Sequence, residues 1–341
     1  MTAVAVLLLC VVLRSTLAAK ELCHFENFTT NSLQYGLKIN CHSRAGFEAP
    51  VAKELELRLT ELTSETVLNE LKIKHALLTR IPPVICRQSD LRVLLVFHNK
   101  IEELTVDCFR QLSHLTTFDA NDNLISKLDE GLFSTNNMLN RVYLASNRLT
   151  SFCPTNGSRS SITFLRLDDN RIEELRPDCM RQMPLLATLS ANDNSLCRLS
   201  DDLFDELHHL KSLYLKHNNL QDFCPHYTHD SPIRILHLNF NNITSLRSDC
   251  FSRMFNLLHF EATNNAVFYI SDGVFDGLDQ LQYVNLSNNR INAICSNIAT
   301  ESAIAVLDLS LNLIANLNTT CLAKFRSLEH LSMANNRILR L

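Results

Sequence analysis

The chain has 341 residues and a formal net charge of −4, from 32 Lys and Arg against 36 Asp and Glu. So small a charge excludes a partner held by a strongly basic surface, nucleic acid above all. No Pro/Gly/Ser linker, charge block or low-complexity stretch divides the region after residue 67, so it reads as one domain.

Residues 1–19 read as a secretory signal. Val4 to Leu13 is an apolar run of ten, and small residues follow at Thr16, Ala18 and Ala19, so cleavage after Ala18 or Ala19 fits. That run is too short to span a bilayer, and no later stretch approaches about 18 apolar residues, so no transmembrane segment is expected. Residues 20–67 form a cap tied by Cys23 and Cys41, with the strand Leu55-Glu-Leu57-Arg-Leu59 as its exposed edge and charged residues alternating outward.

From residue 68 to residue 341 one pattern recurs about twelve times, LxxLxLxxNxL, the last copy being incomplete. Its Asn falls at Asn99, Asn123, Asn147, Asn170, Asn194, Asn218, Asn241, Asn265, Asn289, Asn312 and Asn336, always 23 or 24 residues apart, and a first imperfect copy places Ala76 there. A fixed period in this range is the signature of an α/β leucine-rich repeat solenoid. The predicted horseshoe has a parallel β-sheet on its concave face, and short helices, 3₁₀ turns and loops on its convex face. Such a surface has no buried catalytic pocket, so the chain is expected to bind other molecules rather than act as an enzyme, and to need no cofactor or metal.

The pattern has a physical reason. In Leu210, Leu213, Leu215, Asn218 and Leu220, the alternation Leu213-x-Leu215 is a short strand with one face inward. At the Asn the chain turns, which would strand backbone amides and carbonyls inside the core. An Asn side chain both donates and accepts, so a stacked column of Asn satisfies them. Further round each coil, residues such as Leu104, Phe109 and Leu112, or Ile270, Phe275 and Leu278, close the core.

A second period is written in cysteine. Cys108, Cys179, Cys250 and Cys321 are 71 residues apart, as are Cys153, Cys224 and Cys295, so three coils form one larger unit. Adjacent coils lie about 5 Å apart, within reach of a disulfide, whereas coils two apart do not. This predicts the pairs Cys153–Cys179, Cys224–Cys250 and Cys295–Cys321, with Cys86–Cys108 completing the series after the inserted Pro82-Pro83, all on the convex side. The 23-residue coils, such as SFCPTNGSRSS, are read as lacking the closing Phe, whose packing the staple replaces. Beyond the signal there are eleven Cys, and this scheme uses ten; Cys197 is left over, either as a half-buried free thiol or in an intermolecular disulfide that makes a dimer.

The chain resembles secreted insect leucine-rich repeat proteins, and in particular the leucine-rich immune family of mosquitoes. The shared features are the signal, the 23–24-residue coil, the two-Cys cap and a Cys pair flanking one short coil, here SFC153 to PDC179. That resemblance implies circulating defence proteins that pair by disulfide and hold complement-like factors.

The outward strand positions would line the concave face and hold a protein partner. They are Val93, Leu95 and Phe97, then Arg141 and Tyr143, Phe164 and Arg166, Tyr214 and Lys216, Ile235 and His237, and Tyr283, with Asp119, Asp168 and Asp169 making the charge mixed. Five N-x-[ST] sites, Asn27, Asn156, Asn242, Asn285 and Asn318, are candidate glycosylation sites, and Asn285 points into this face. The run Cys224-Pro-His226-Tyr-Thr-His229 has metal-ligand residue types, but the cysteine period already commits Cys224 to a staple. The reading is a secreted binding protein of innate defence; the alternative is the ectodomain piece of a cell-surface receptor or adhesion protein. The chain stops at Leu341, five residues past Asn336, so Ile338 and Leu341 are expected in the core and the sequence is expected to be incomplete, or covered at that end by another chain.

Overall fold

Each Leu-x-Leu alternation becomes a strand of three residues whose middle side chain is buried and whose flanking ones are not. Val93–Leu95, Ser212–Tyr214 and Ile235–His237 show this, with Leu94, Leu213 and Leu236 at 0% exposure. The structure, a computed structural model, describes residues 23–30, 34–41, 68–153, 157–293, 302–316 and 323–338. Twelve coil strands, from Leu68–Lys74 to His330–Ser332, pair in parallel in sequence order. The hairpin Cys23–Thr30 and Gln34–Cys41 extends the sheet to fourteen strands, its second strand lying parallel to Leu68–Lys74. The expected edge at Leu55–Leu59 lies outside the described residues.

Register is set by the core. Leu165, Leu189, Leu213, Leu236 and Phe260 are successive partners across five strands. A slip of one residue would turn every one of them to solvent. Burying a Leu of this kind is worth about 1.5–3 kcal/mol, repeated coil after coil.

The Asn column works in both directions at once. Asn218 Oδ1 accepts the Leu196 N–H of the preceding coil at 3.0 Å, and Nδ2 donates to the carbonyls of Ala191 at 2.9 Å and Leu215 at 3.1 Å. The imperfect first copy survives because Asn99 reaches back, accepting the Ala76 N–H at 3.0 Å. The residue before each Asn turns in the left-handed region, at φ +52° to +58°. That position is filled mostly by Asp, Asn and His, which tolerate it, but also by Phe240 and Leu311.

On the convex side the described helices are short: Pro83–Cys86, Val106–Gln111, Pro177–Met180 and Ser248–Phe251. Each carries a staple cysteine, so the 71-residue period is a period of helices as well. Cys86–Cys108, Cys153–Cys179 and Cys224–Cys250 are bonded, with Cα separations of 4.8, 5.1 and 4.4 Å, as expected for neighbouring coils. Cys23 and Cys41 stand opposite each other in the hairpin register, but their side chains, like the pair Cys295–Cys321, lie outside the described residues.

Two expectations about the core need correcting. The 23-residue coils do not lack a buried Phe: Phe152 and Phe223, each just before its Cys, are 2% and 4% exposed. The staple and the ring therefore act together, the ring filling the shorter loop from a position nearer the strand. Ile338 is half-buried rather than in the core, and the inward Leu331 is 38% exposed, because the last described coil has a neighbour on one side only. Leu341 lies outside the described residues.

Candidate functional site on the concave sheet

The pleat sends alternate side chains to the concave face, so rings two residues apart, or paired across strands, meet there. Val93, Leu95 and Phe97 are half-buried on that face, beside the fully buried Leu94 and Val96, and Lys72 Nζ lies 5.1 Å over the Phe97 ring. Arg141 and Arg166 are exposed, while Tyr143 and Phe164 are half-buried with ring centroids 5.1 Å apart. Tyr214, Lys216, Ile235, His237 and Tyr283 are half-buried on the same face.

The acids are less available than their exposed-looking positions suggest. Asp168 is buried, and accepts from Arg166 Nε at 2.6 Å, Ser190 Oγ at 2.6 Å and the Asn192 N–H at 2.9 Å. Asp119 accepts the Asn121 N–H at 3.0 Å, yet burial holds its carboxyl above the usual carboxylate range. Asp169 is exposed.

Two residues not anticipated complete a tight cluster with His237. His237 and Glu261 are register partners on neighbouring strands, and His259 lies two residues before Glu261 on the same face. His259 Nε2 is 2.8 Å from Glu261 Oε1, where only the nitrogen has a proton to donate, and His237 Nδ1 is 3.9 Å from Glu261 Oε2. Asn239 Nδ2 donates to Glu261 Oε2 at 2.6 Å, while Asn239 Oδ1 accepts the Thr263 N–H at 2.8 Å. Burial by itself would raise Glu261, but the hydrogen bonds from His259 and Asn239 and the neighbouring imidazoles hold its carboxyl below the usual range. Burial lowers His237, against the opposing pull of Glu261, so its contact with Glu261 at neutral pH is between a neutral imidazole and a carboxylate.

Rings enclose the cluster. Tyr214 meets His237 edge-on at 5.0 Å, His237 lies 5.2 Å from His259, and Tyr283 stacks on His259 at 4.1 Å. At the rim Phe240, 40% exposed, stacks on His217 at 4.1 Å. Aligning the repeats would have found His259 and Glu261, because they occupy the strand positions that Val93 and Leu95 hold in an earlier coil.

Other candidate residues are placed apart from this face. Cys224 is in its disulfide, so it offers no thiolate to His226 or His229; His226 is exposed, and His229 Nδ1 instead lies 3.3 Å from Asp205. Cys197 is exposed and unpaired. Of the sequons, Asn242 is exposed, and Asn285 lies on the concave face with its Nδ2 donating to the Tyr283 hydroxyl at 3.3 Å. The side chains of Asn27, Asn156 and Asn318 lie outside the described residues. Among the described residues no helix is long and apolar enough to cross a membrane.

Residues 89–149, 160–220 and 231–291 each match the Leucine rich repeat family, and the three matches start 71 residues apart, in step with the cysteine period. The chain belongs to that family, which is a structural repeat rather than an enzyme family. Its relatives include small leucine-rich proteoglycans. Mimecan of Mus musculus is 31% identical over 157 residues, covering 46% of this chain and 43% of its own length. Podocan of Mus musculus is 25% identical over 253 residues, covering 71% of this chain and 39% of its own. The chain thus spans about two-fifths of the length of these relatives. Among solved structures, a Leptospira interrogans LRR protein superposes with a TM-score of 0.67 at 22% identity, over 80% of this chain and 67% of the other. The LRIM1/APL1C complex does so with 0.61 at 18%, over 81% and 48%; at such identities the likeness is one of fold.

Proposed function

We propose that this chain is an extracellular binding protein that presents its concave sheet to a protein partner. The observation that carries the reading is the run of half-exposed rings across neighbouring strands, Tyr214, His237, His259 and Tyr283, continued toward the N-terminal coils by Phe164, Tyr143 and Phe97. Rigid aromatic side chains on a preformed sheet lose little conformational entropy on binding and supply large contact areas, which is why they dominate interface hot spots. The cross-coil disulfides support an oxidising, extracellular destination. The cap and the flanking cysteine pairs, which resemble those of the mosquito immune family, support a place in innate recognition or as a scaffold for a complement-like factor. The exposed Cys197 supports a disulfide-linked partner as part of the same reading.

The test is capture from the extracellular fluid of the source animal, with three baits compared by mass spectrometry. Wild type and a convex-face variant, Arg181→Glu, should retain the same partners, a complement-like factor among them. Leu95→Asp with Phe97→Asp should lose them while keeping the wild-type unfolding midpoint to within a few degrees. Partners that survive the concave double substitution and vanish with Arg181→Glu would refute the concave face as the binding surface; matrix components alone would move the role from defence to matrix assembly.

A further inference from the structure

The cluster of His237, His259 and Glu261 has the composition of a metal centre. Their ligand atoms lie within 4.8 Å of one another. Two imidazoles and a carboxylate are a set that suits zinc and its neighbours, and three protein ligands leave one position of a tetrahedron for water or another ligand. The backbone alone brings them together. Strand pairing sets Glu261 beside His237, the pleat sets His259 on the face of Glu261, and neither strand can shift without turning Leu236 and Phe260 out of the core.

The distances bracket what a metal requires. Bonds of 2.0–2.1 Å at tetrahedral angles place ligand atoms about 3.3 Å apart. Here they are 2.8 Å apart for His259 and Glu261 and 3.9 Å for His237 and Glu261, so small torsional adjustments bring all three onto one ion. The outer shell is also built. Asn239, buried at 8% exposure, cannot turn its amide over, because its Oδ1 is already committed to the Thr263 N–H, so Nδ2 is held against Glu261 Oε2. Orienting a ligating carboxylate in this way is what outer-shell partners do in metal sites. Tyr214 and Tyr283 flank the two imidazoles, and the cluster side chains remain 20–33% exposed, which leaves a path for the ion. The other group of potential ligands, Cys224, Cys250 and Asp249, lacks this competence because its two sulfurs are bonded to each other.

We propose that His237, His259 and Glu261 bind one divalent transition-metal ion of the zinc class on the concave face, with Asn239 as the positioning residue and one coordination position open to solvent. Binding replaces the Nε2–H of His259 by a metal bond, so about one proton is released per ion taken up near neutral pH. The site stands whether or not the surrounding face binds protein.

The test uses the whole secreted protein in a Cys197→Ser background, which removes the exposed thiol as a competing ligand. After chelator treatment, Zn²⁺ is titrated by calorimetry in two buffers of different ionisation enthalpy, and Co²⁺ by visible absorption. The expected result is one ion per chain, proton release, and the intense absorption of tetrahedral Co²⁺. Glu261→Gln and His259→Gln should each raise Kd at least about 100-fold, and Asn239→Ala should raise it about 10–100-fold. His229→Gln, which touches the convex Asp205 instead, should leave it unchanged. Circular dichroism and the unfolding midpoint of each variant in chelator confirm the fold. If a variant fails that check, His237→Gln replaces it in the comparison. Wild-type Kd in folded Glu261→Gln and His259→Gln, or loss of binding in His229→Gln, overturns the assignment, as does the absence of binding to the parent protein.

Discussion

Replacing Asn218 by Ala should be among the most damaging single changes in the protein, though it removes no apolar surface. The Asn218 side chain serves three buried groups: it accepts from the Leu196 N–H and donates to the Ala191 and Leu215 carbonyls. All belong to buried residues, and a cavity the size of an amide gives no assurance of a water for each. A buried polar group left unpaired costs about 1–3 kcal/mol, so losing these partners should cost about 2–5 kcal/mol. Asn218→Asp separates the two directions. Its carboxylate can still accept from Leu196 but faces two carbonyls with no proton to give. That substitution should be at least as destabilising at neutral pH and partly recover in acid, where the protonated oxygen donates; its raised folded pKa means stability returns as pH falls through that value. Solenoids need not unfold in one step, so the measurement is amide hydrogen exchange of residues 191–197 alongside urea denaturation. An Asn218→Ala protein with native protection at Leu196 and a loss below about 1 kcal/mol would refute the ladder as an energetic element.

Three further outcomes are expected. Non-reducing peptide mapping should link Cys153 to Cys179 and Cys224 to Cys250, a Cys108–Cys153 peptide being incompatible with the coil order, and replacing both Cys153 and Cys179 by Ser should cost about 2–4 kcal/mol in denaturant unfolding. Asp119→Asn should raise the thermal midpoint near neutral pH and flatten its pH dependence. Burial holds the folded carboxyl above its ordinary value, so wild type carries a penalty above that value and sheds it as pH falls and the folded state takes up the proton first; an unchanged pH profile would show that the carboxyl is solvated. Leu311→Asn should stabilise by about 0.5–1 kcal/mol, because Leu311 is 49% exposed at φ +56° and the left-handed turn costs a branched side chain more than Asn. A lower unfolding midpoint would mean that the Leu side chain packs in a way its exposure hides.

The architecture was legible from the chain alone because a solenoid is nearly one-dimensional. Each coil touches only its neighbours, so a 23- or 24-residue period fixes which residues meet. The inward Leu, the Asn column and the partners Cys153–Cys179 and Cys224–Cys250 all follow from that single rule, since each concerns identical or adjacent positions of the repeat. What escaped were departures from the repeat. Phe152 and Phe223 fill the short coils from an unexpected position, which only the packing of a particular loop decides. The outward strand positions could be named in advance, yet their chemistry could not. Whether Asp168 is an open charge or an acceptor with three partners depends on Arg166, Ser190 and Asn192, which come from neighbouring positions and coils. The grouping of His237, His259, Glu261 and Asn239 depends likewise on rotamers and distances. Periodicity determines which backbone lies beside which; the tertiary structure decides which side chains turn toward one another, because that choice is made by contacts each coil does not share with the rest.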